Sequence, residues 1–585
     1  MKKRKVKMLA LVLAAAAMMT ACGQNAGKES SVSGDITKSS QTAEESTQPS
    51  KNQETDKGKL PTLTLYPANA TLTSGLVTGN RADYFAENGF QMEVWAFSDE
   101  KTNAILTSGD LPDIMYVEKD KLDTLIEAGM ILNLEDYLDK MPHLHDSKYI
   151  DGALDMMRKN NSAGTGELYA FPTDVSGTEV PWNRQDSTDR NSVKLRWDVY
   201  EEIGAPEIKD YWELIDVCEQ MVKAHPQEED GTKCYGMFLD NGLDSSYWGG
   251  MTLWFRWHGY TENYLPFMME TNMVTGEFNS ILRDDSLYHE GLKWYNEVYR
   301  RGLMDPESIN TDRGTQAKKV DAGLAMVPGG TLPGWATKYY EYYIPGSVVY
   351  YNRIKPYGNP TWSIVVNANT EHLDECLAFL DMLCSGDAYL RMQFGPDGDI
   401  WYSDGENAYP TEAYLNWFKE GHGSTNSFPM SDGTEWSLWA TLPISGGYSS
   451  FKDGNGNLRS GDPSYWDEVQ DITCASDNFE KWKKTTGYNT WRELLEDKDA
   501  YVGSSPVDAY STYLTAASDS MQLKIDSLKD IVVTASWKMV YAETEEEFDA
   551  IWKQMLSDCE GLEAQKVIDW KLEDIENAKK EANVK

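Results

Sequence analysis

The chain is poor in positive charge, in histidine and in paired cysteines. Fifty-four Lys and Arg stand against 94 Asp and Glu, a formal net charge of −40 over 585 residues. Nucleic acids and anionic membrane surfaces are recognised through Lys and Arg, so this balance argues against both as partners and fits solubility at a crowded surface. Only seven His are present, and the sole close pair, His143-x-His145, lies in the loop Lys140-Met-Pro-His-Leu-His with no third ligand nearby. It reads as an exposed polar loop rather than a metal site. The seven Cys contain no C-x-x-C pair. Cys376 and Cys384 fall eight apart on one predicted helix, about 12 Å of rise and too far to bond each other. Enzyme signatures are missing as well: there is no G-x-S-x-G, P-loop, G-x-G-x-x-G or H-E-x-x-H. Asp453-Gly-Asn455-Gly-Asn457 begins like a calcium loop, but Leu458 and Ser464 stand where such a loop needs Gly and Glu. A polar hairpin turn is the better reading. With 94 carboxylates a glycosidase-like pair could be nominated anywhere, so nominating one says nothing. No catalytic residue, metal or cofactor is called for.

No apolar run is long enough to span a membrane either, yet one short run is informative. Met1–Lys7 carries five positive charges, and Met8–Met19 is uncharged Leu, Val, Ala and Met, closed by Met19-Thr20-Ala21-Cys22. A charged start, a short apolar stretch and small residues before a cut site form an export signal. At 12 residues the run falls short of the roughly 20 a spanning helix needs. A Cys directly after small residues resembles the lipobox of bacterial lipoproteins. That resemblance implies removal of residues 1–21 and a lipid anchor on Cys22 at the outer face of the cell membrane. Losing the five charges of the leader takes the mature chain to about −45. Export leaves one disulfide open, but buried free thiols are the expectation for the remaining cysteines.

Gly23–Lys59 is Ser, Thr, Gln, Glu, Lys and Gly with almost no apolar residue, which reads as a flexible tether. Folding is expected from Leu60 onward, where strands and helices alternate. Thr62–Tyr66, Phe90–Phe97 and Asp113–Val117 have strand character, and Lys121–Ala128 is a helix stopped by Gly129. Apolar stripes at helical spacing mark Trp212–Ala224, the segments around Trp294 and Leu377, and a helix capped by Thr544. Further strands are expected at Cys234–Leu239, Leu324–Val327, Trp362–Asn367 and Ile531–Thr534. Mean hydropathy is −0.56, yet 41% of residues are apolar, so a core is within reach. At this length more than one lobe is expected, α/β in class with mostly parallel sheets.

Aromatic residues are what the chain has in excess: 20 Trp and 33 Tyr. Trp197, Trp212, Trp294 and Trp552 fall on amphipathic helices and read as core. Trp182, Trp248, Trp335, Trp401, Trp436 and Trp439 lie beside Gly, Pro, Asn or Asp, outside such stripes. A pyranose has an apolar C–H face and equatorial hydroxyls, so loop aromatics with polar neighbours suit it. Loops at the carboxyl ends of sheet strands line clefts in α/β sheets, which favours Tyr66, Phe97–Asp99 and Asn367 as rim positions.

Several motifs occur in a fixed order: Thr107-Ser-Gly-Asp-Leu-Pro-Asp113, Ile126-Glu-Ala-Gly-Met-Ile-Leu-Asn-Leu134, Gly166-Glu-Leu-Tyr-Ala-Phe-Pro172, Leu195-Arg-Trp-Asp-Val199, Tyr299-Arg-Arg-Gly-Leu-Met-Asp-Pro-Glu307 and Gly323-Leu-Ala-Met-Val-Pro-Gly329. Together they resemble the extracellular solute-binding proteins of ABC importers, carbohydrate type, in the lipoprotein branch of Gram-positive bacteria. The Trp-rich stretch around 400–530 has no counterpart in that pattern. The resemblance implies an α/β, two-lobed periplasmic-binding-protein-like (type II) fold with a ligand cleft between the lobes. The first lobe would take 60–174 and 345–398, the second 178–340 and 399–585. Hinge crossovers are expected near Pro172–Pro181, Tyr342–Tyr351 and Gly395–Ile400. By the same resemblance Trp335, Trp182 and Trp401 would face the cleft, joined by Trp248, Trp436, Asp99 and Arg184; Tyr66 is added from its place at a strand's carboxyl end. Asp113 and Asp305 read as structural turn residues. The acidic balance disfavours uronates or sulfated sugars as ligands, unless Arg184 and Arg196 form a local basic patch.

The implied activity is binding without chemistry: a monomer captures a saccharide, an oligosaccharide being expected, and delivers it to the transmembrane subunits of an ABC permease. Two other readings compete. A surface glycoside-active enzyme would share the anchor, the Trp and the carboxylates, but not the lobe order. A peptide receptor on a similar frame would not need so many cleft Trp, and a metal-chelate receptor would show His or carboxylate clusters that the sequence does not offer.

Overall fold

A mixed six-stranded sheet organises the amino-terminal part of the chain in a computed structural model of the protein. The structure describes residues 60–67, 74–144, 146, 150–176, 192–239, 250–260, 268–328, 338–350, 356–359, 361–422, 427–437, 451–503 and 505–584. All of these belong to one contact unit, Lys59–Lys585. The export signal, Cys22 and the tether lie outside the described residues, as do His145, Trp182, Arg184, Trp248, Trp335 and Trp439.

The sheet is built from β1 (Thr62–Tyr66), β2 (Gly75–Leu76), β3 (Gln91–Val94), β4 (Ile114–Glu118), β5 (Phe171–Pro172) and the later strand Trp362–Val366. Its order is β2-β3-β1-β4, then Trp362–Val366, then β5. β1 pairs parallel with both β3 and β4, which requires crossover helices: α1 (Asn80–Glu87) and α2 (Asp99–Ser108). The strand Trp362–Val366 runs antiparallel to β4, with Trp362 opposite Glu118 and Val366 opposite Ile114. The sheet is therefore mixed rather than mostly parallel, and strand direction decides what reaches each edge. Asn367, expected at the rim, sits instead at the opposite edge beside Asp113, whose carbonyl accepts the Asn367 amide at 2.9 Å. Asp113 ties that edge together: its carboxylate accepts from the Thr64 amide (2.8 Å), the Thr64 hydroxyl (2.7 Å) and the Thr370 hydroxyl (2.6 Å).

Three large buried clusters form most of the core among the described residues, beside two small ones. The first covers this sheet together with α3 (Lys119–Glu127), α4 (Ile150–Asn160) and the helix Leu373–Met382. The second gathers residues from Val193 to Val349 and from Phe479 to Ile568, and the third those from Leu390 to Val469. In the second, Tyr211–Ala224 and Leu287–Arg300 bury the apolar stripes read from the sequence. Trp197, Trp294 and Trp552 are core as expected, but Trp212 is 42% exposed on the first turn of its helix. Ile531–Thr534 is not a strand. It belongs to the helix Asp519–Val540, where Ile525, Leu528, Val532 and Met539 recur at helical spacing and pack inward. Cys218, Cys234, Cys376, Cys384 and Cys559 are buried free thiols, and Cys474 is half-buried. No helix among the described residues is long and apolar enough to cross a membrane.

Candidate functional site

At the carboxyl edge of β1, β3 and β4 the backbone turns away from the sheet and leaves side chains of three elements facing one another. Tyr66 ends β1, Trp95 and Phe97 follow β3, and Glu118 ends β4. Because the neighbouring strand is antiparallel, its first residue, Trp362, arrives at this same edge. Ser98 caps α2, its hydroxyl accepting from the Lys101 amide at 3.2 Å.

A cavity of about 220 Å³ opens at this edge, with Phe97, Glu118 and Trp362 among the residues that line it. Phe97, Trp362 and Leu106 give it apolar walls, while Thr102, Asn103, Glu118 and Lys121 supply polar groups. Phe97 bridges the aromatics, with its ring 5.7 Å from Tyr66 and 6.3 Å from Trp362, the latter edge-on at 78°. Lys101 reaches over the rings of Trp95 (5.1 Å) and Tyr66 (5.9 Å). Glu118 and Lys121 lie 3.8 Å apart, so the charge they bring to the wall is balanced. Half-buried aromatic faces beside amide, hydroxyl and paired ionic groups can stack a ring and hydrogen-bond its substituents.

The expected site residues divide three ways. Tyr66 is at this edge but fully buried, and its hydroxyl is committed: it donates to the Ser98 carbonyl at 2.8 Å and meets the Thr102 hydroxyl at 2.8 Å. It holds the start of α2 in place. Asp99 is the first residue of that helix, and its side chain lies outside the described residues. Trp401 and Trp436 are 1% and 4% exposed in the third cluster, away from the cavity. The indole N–H of Trp401 donates to the Gly395 carbonyl (3.0 Å) and that of Trp436 to the Gln393 carbonyl (2.9 Å). The Arg81 guanidinium covers the Trp436 ring at 4.0 Å. In this arrangement both indoles act as core. Trp182, Trp248, Trp335 and Arg184 lie outside the described residues. Arg196 is 2% exposed and ion-paired with Asp198 and Glu228, so it presents no basic patch. Trp362, read only as a strand residue, is one of the cavity residues that sequence reasoning missed, with Thr102, Asn103, Leu106, Glu118 and Lys121.

Two polar clusters elsewhere are satisfied by the protein's own groups. His225, Glu228 and Cys234 could approach a metal ion together, but Arg196 donates to Glu228 and stands 3.9 Å from the Cys234 sulfur. A guanidinium already holds the position a cation would take, and burial pushes the thiol pKa up, away from the ligating thiolate. In the turn after Asp453, that carboxylate accepts from the amides of Asn455 (2.8 Å) and Asn457 (2.9 Å) and from the Asn457 side chain (2.9 Å). It closes an Asx-type turn.

A family model described as bacterial extracellular solute-binding protein matches residues 81–398. No curated protein matches the sequence. Solved structures do. An HMO-binding ABC-transporter-associated solute-binding protein from Bifidobacterium longum infantis superposes with a TM-score of 0.56 at 15% identity, over 88% of this chain and 99% of that one. The S. pneumoniae ABC-transporter substrate-binding protein FusA, as an EF-hand mutant with fructo-nystose, gives 0.54 at 16% identity, over 90% and 100%. The alginate-binding protein AlgQ2 without calcium ion gives 0.53 at 12% identity, over 90% and 100%. At these identities the likeness is one of fold.

Proposed function

The chain belongs to the bacterial extracellular solute-binding proteins, and from that membership we propose that it captures a saccharide, an oligosaccharide, between two lobes and delivers it to the transmembrane subunits of an ABC importer. The first lobe would be built on the first core cluster and the second on the second, with the Leu390–Val469 cluster as an appendage. The mature protein would be a monomer, lipid-anchored through Cys22 at the outer face of the membrane, and it would release its ligand unchanged. The ligands named with the structural relatives, HMO, fructo-nystose and alginate, are all saccharides.

The observation that carries this reading is the cavity between Phe97 and Trp362 at the carboxyl edge of the sheet. Its size suits one sugar ring, and its polar wall is uncharged in sum, which favours neutral residues over uronates. Trp182, Trp248, Arg184 and Trp335 would complete the site from the second lobe. Moving an open–closed equilibrium from 1:99 to 99:1 takes about 5.5 kcal/mol of preference for the closed form. Stacked aromatics at about 0.5–1.5 kcal/mol each and several hydrogen bonds at about 1 kcal/mol net can supply it.

Thermal-shift screening against neutral mono- and oligosaccharides tests the proposal. A ligand at a hundred times its Kd stabilises by about 2.7 kcal/mol. Trp362→Ala and Phe97→Ala are each expected to weaken that ligand about tenfold, with the sugar recovered intact. A panel with no stabilising saccharide, or wild-type affinity in both variants, would overturn the reading.

A further inference from the structure

The cavity is chemically lopsided. Asn103 and Leu106 are three apart on α2 and share one face of it, while Met115 and Val117 are two apart on β4 and share one face of the sheet. Met115 and Val117 are 1% and 3% exposed, Leu106, Phe97 and Trp362 are half-buried, and Asn103 is exposed. Read by depth, the lining passes from an apolar base of Met115 and Val117, through walls of Leu106, Phe97 and Trp362, to an amide at the rim.

The polar groups do not reach the base. Glu118 and Lys121 stand where β4 passes into α3, and both keep part of their side chains in solvent. Thr102 also lines the cavity, but its hydroxyl is already engaged: it donates to the Ser98 carbonyl at 3.1 Å and meets the Tyr66 hydroxyl at 2.8 Å. Hydrogen bonding to a bound molecule is therefore left to Asn103, Glu118 and Lys121, and the side chains of Leu106, Met115 and Val117 offer none.

That division bears on which sugar fits. An unsubstituted hexopyranose carries hydroxyls or a hydroxymethyl group around most of its ring. Seated here, one of them would be pressed against Leu106, Met115 and Val117 without a partner, and a buried hydroxyl left unpaired lowers affinity by about tenfold or more. A methyl group in the same place has no hydrogen bond to lose and gains by leaving water.

We infer that the cavity is built for a saccharide residue that bears an exocyclic methyl group, carried by an acetamido substituent or by a 6-deoxy carbon, with that methyl seated on Leu106, Met115 and Val117. The inference rests on the binding function proposed above and narrows its ligand class. With the methyl at the base, the opposite side of the sugar turns its hydroxyls to Asn103, Glu118 and Lys121. Phe97 and Trp362 supply the aromatic faces on which the ring stacks.

The test compares sugars that differ only at the methyl, by calorimetry on the full chain. N-acetylglucosamine is set beside N-formylglucosamine, and 6-deoxyglucose beside glucose, with the same pairs in the galacto and manno series and at the non-reducing end of disaccharides. The methyl-bearing member of at least one pair is expected to bind about tenfold tighter, the usual worth of one carbon in an apolar pocket. The pair that shows it tells an acetamido methyl from a 6-deoxy one. Val117→Thr keeps the shape of the base but adds a hydroxyl, and should bring that ratio close to one. Leu106→Asn, at a half-buried helix position, should do the same and serves if Val117→Thr does not fold; the thermal transition of each variant reports folding. Equal affinities within every pair, with saccharides still bound, overturn the methyl inference and leave the binding function standing. A ratio unchanged in the folded variants removes the methyl from this cavity. No binding of any saccharide overturns both readings together.

Discussion

Glu270 should make this protein less stable as pH rises from about 4.5 to 7, and replacing it with Gln should abolish that dependence. The residue lies on the short strand Met269–Thr271 and is 4% exposed. One oxygen accepts the Tyr288 amide at 3.2 Å, and the nearest cation, Arg283, stands 3.7 Å away. Burial outweighs both partners and raises the carboxyl pKa from 4.5 to about 7. Below pH 4.5 the group is protonated whether folded or not. Between that value and 7 the unfolded chain sheds the proton while the folded one keeps it, so stability falls with rising pH and levels off above the folded pKa. One pKa unit corresponds to about 1.4 kcal/mol, which places the whole loss at about 3 kcal/mol. Glu270→Gln keeps an oxygen for Tyr288 and carries no proton to lose. The assay is hydrogen exchange at the Tyr288 amide, with urea unfolding alongside, at pH 5 to 8 in both proteins. Wild type is expected to lose protection across that range relative to the variant, and the variant to be the more stable at pH 8. Parallel pH profiles would refute the argument, because every other titrating group is common to both.

Three other outcomes follow from the geometry. Asp113→Ala removes the acceptor of three hydrogen bonds from Thr64 and Thr370 and should cost about 3 kcal/mol, read as an earlier thermal transition with the far-UV spectrum unchanged. Gly291→Ala puts a methyl 2.6 Å from the Trp254 ring and 2.9 Å from the Met251 methyl; overpacking of this kind costs about 1–3 kcal/mol, and a transition at the wild-type temperature would mean the two helices part more easily than their packing implies. Cys22→Ala should leave saccharide binding in solution intact, release the protein from the membrane fraction and abolish uptake; retention in membranes would remove Cys22 as the anchor.

What the sequence discloses depends on whether the relevant property is local. The alternation Thr62-Leu-Thr-Leu-Tyr66 and the stripes of Tyr211–Ala224 and Leu287–Arg300 are local, and they fold as read. Ile531–Thr534 is local too, but a four-residue β-branched window hides the longer period through Ile525, Leu528, Val532 and Met539. The candidate site depends on strand direction, which no window contains. Parallel strands deliver their last residues to the carboxyl edge, which is why Tyr66 and Phe97 were legible there. An antiparallel neighbour delivers its first, so Trp362 takes the place expected of Asn367. Trp401 and Trp436 carry the same lesson from the other side. Gly, Asp and Pro beside a Trp report a turn, not which face of the ring is free, and here both Trp join a separate buried cluster, with their indole N–H groups given to backbone carbonyls. An aromatic count can thus point to a ring-binding protein while leaving open which rings bind. That choice is made by pairing partners far apart in the chain, and Trp362 opposite Glu118 is the pairing on which the proposed site depends.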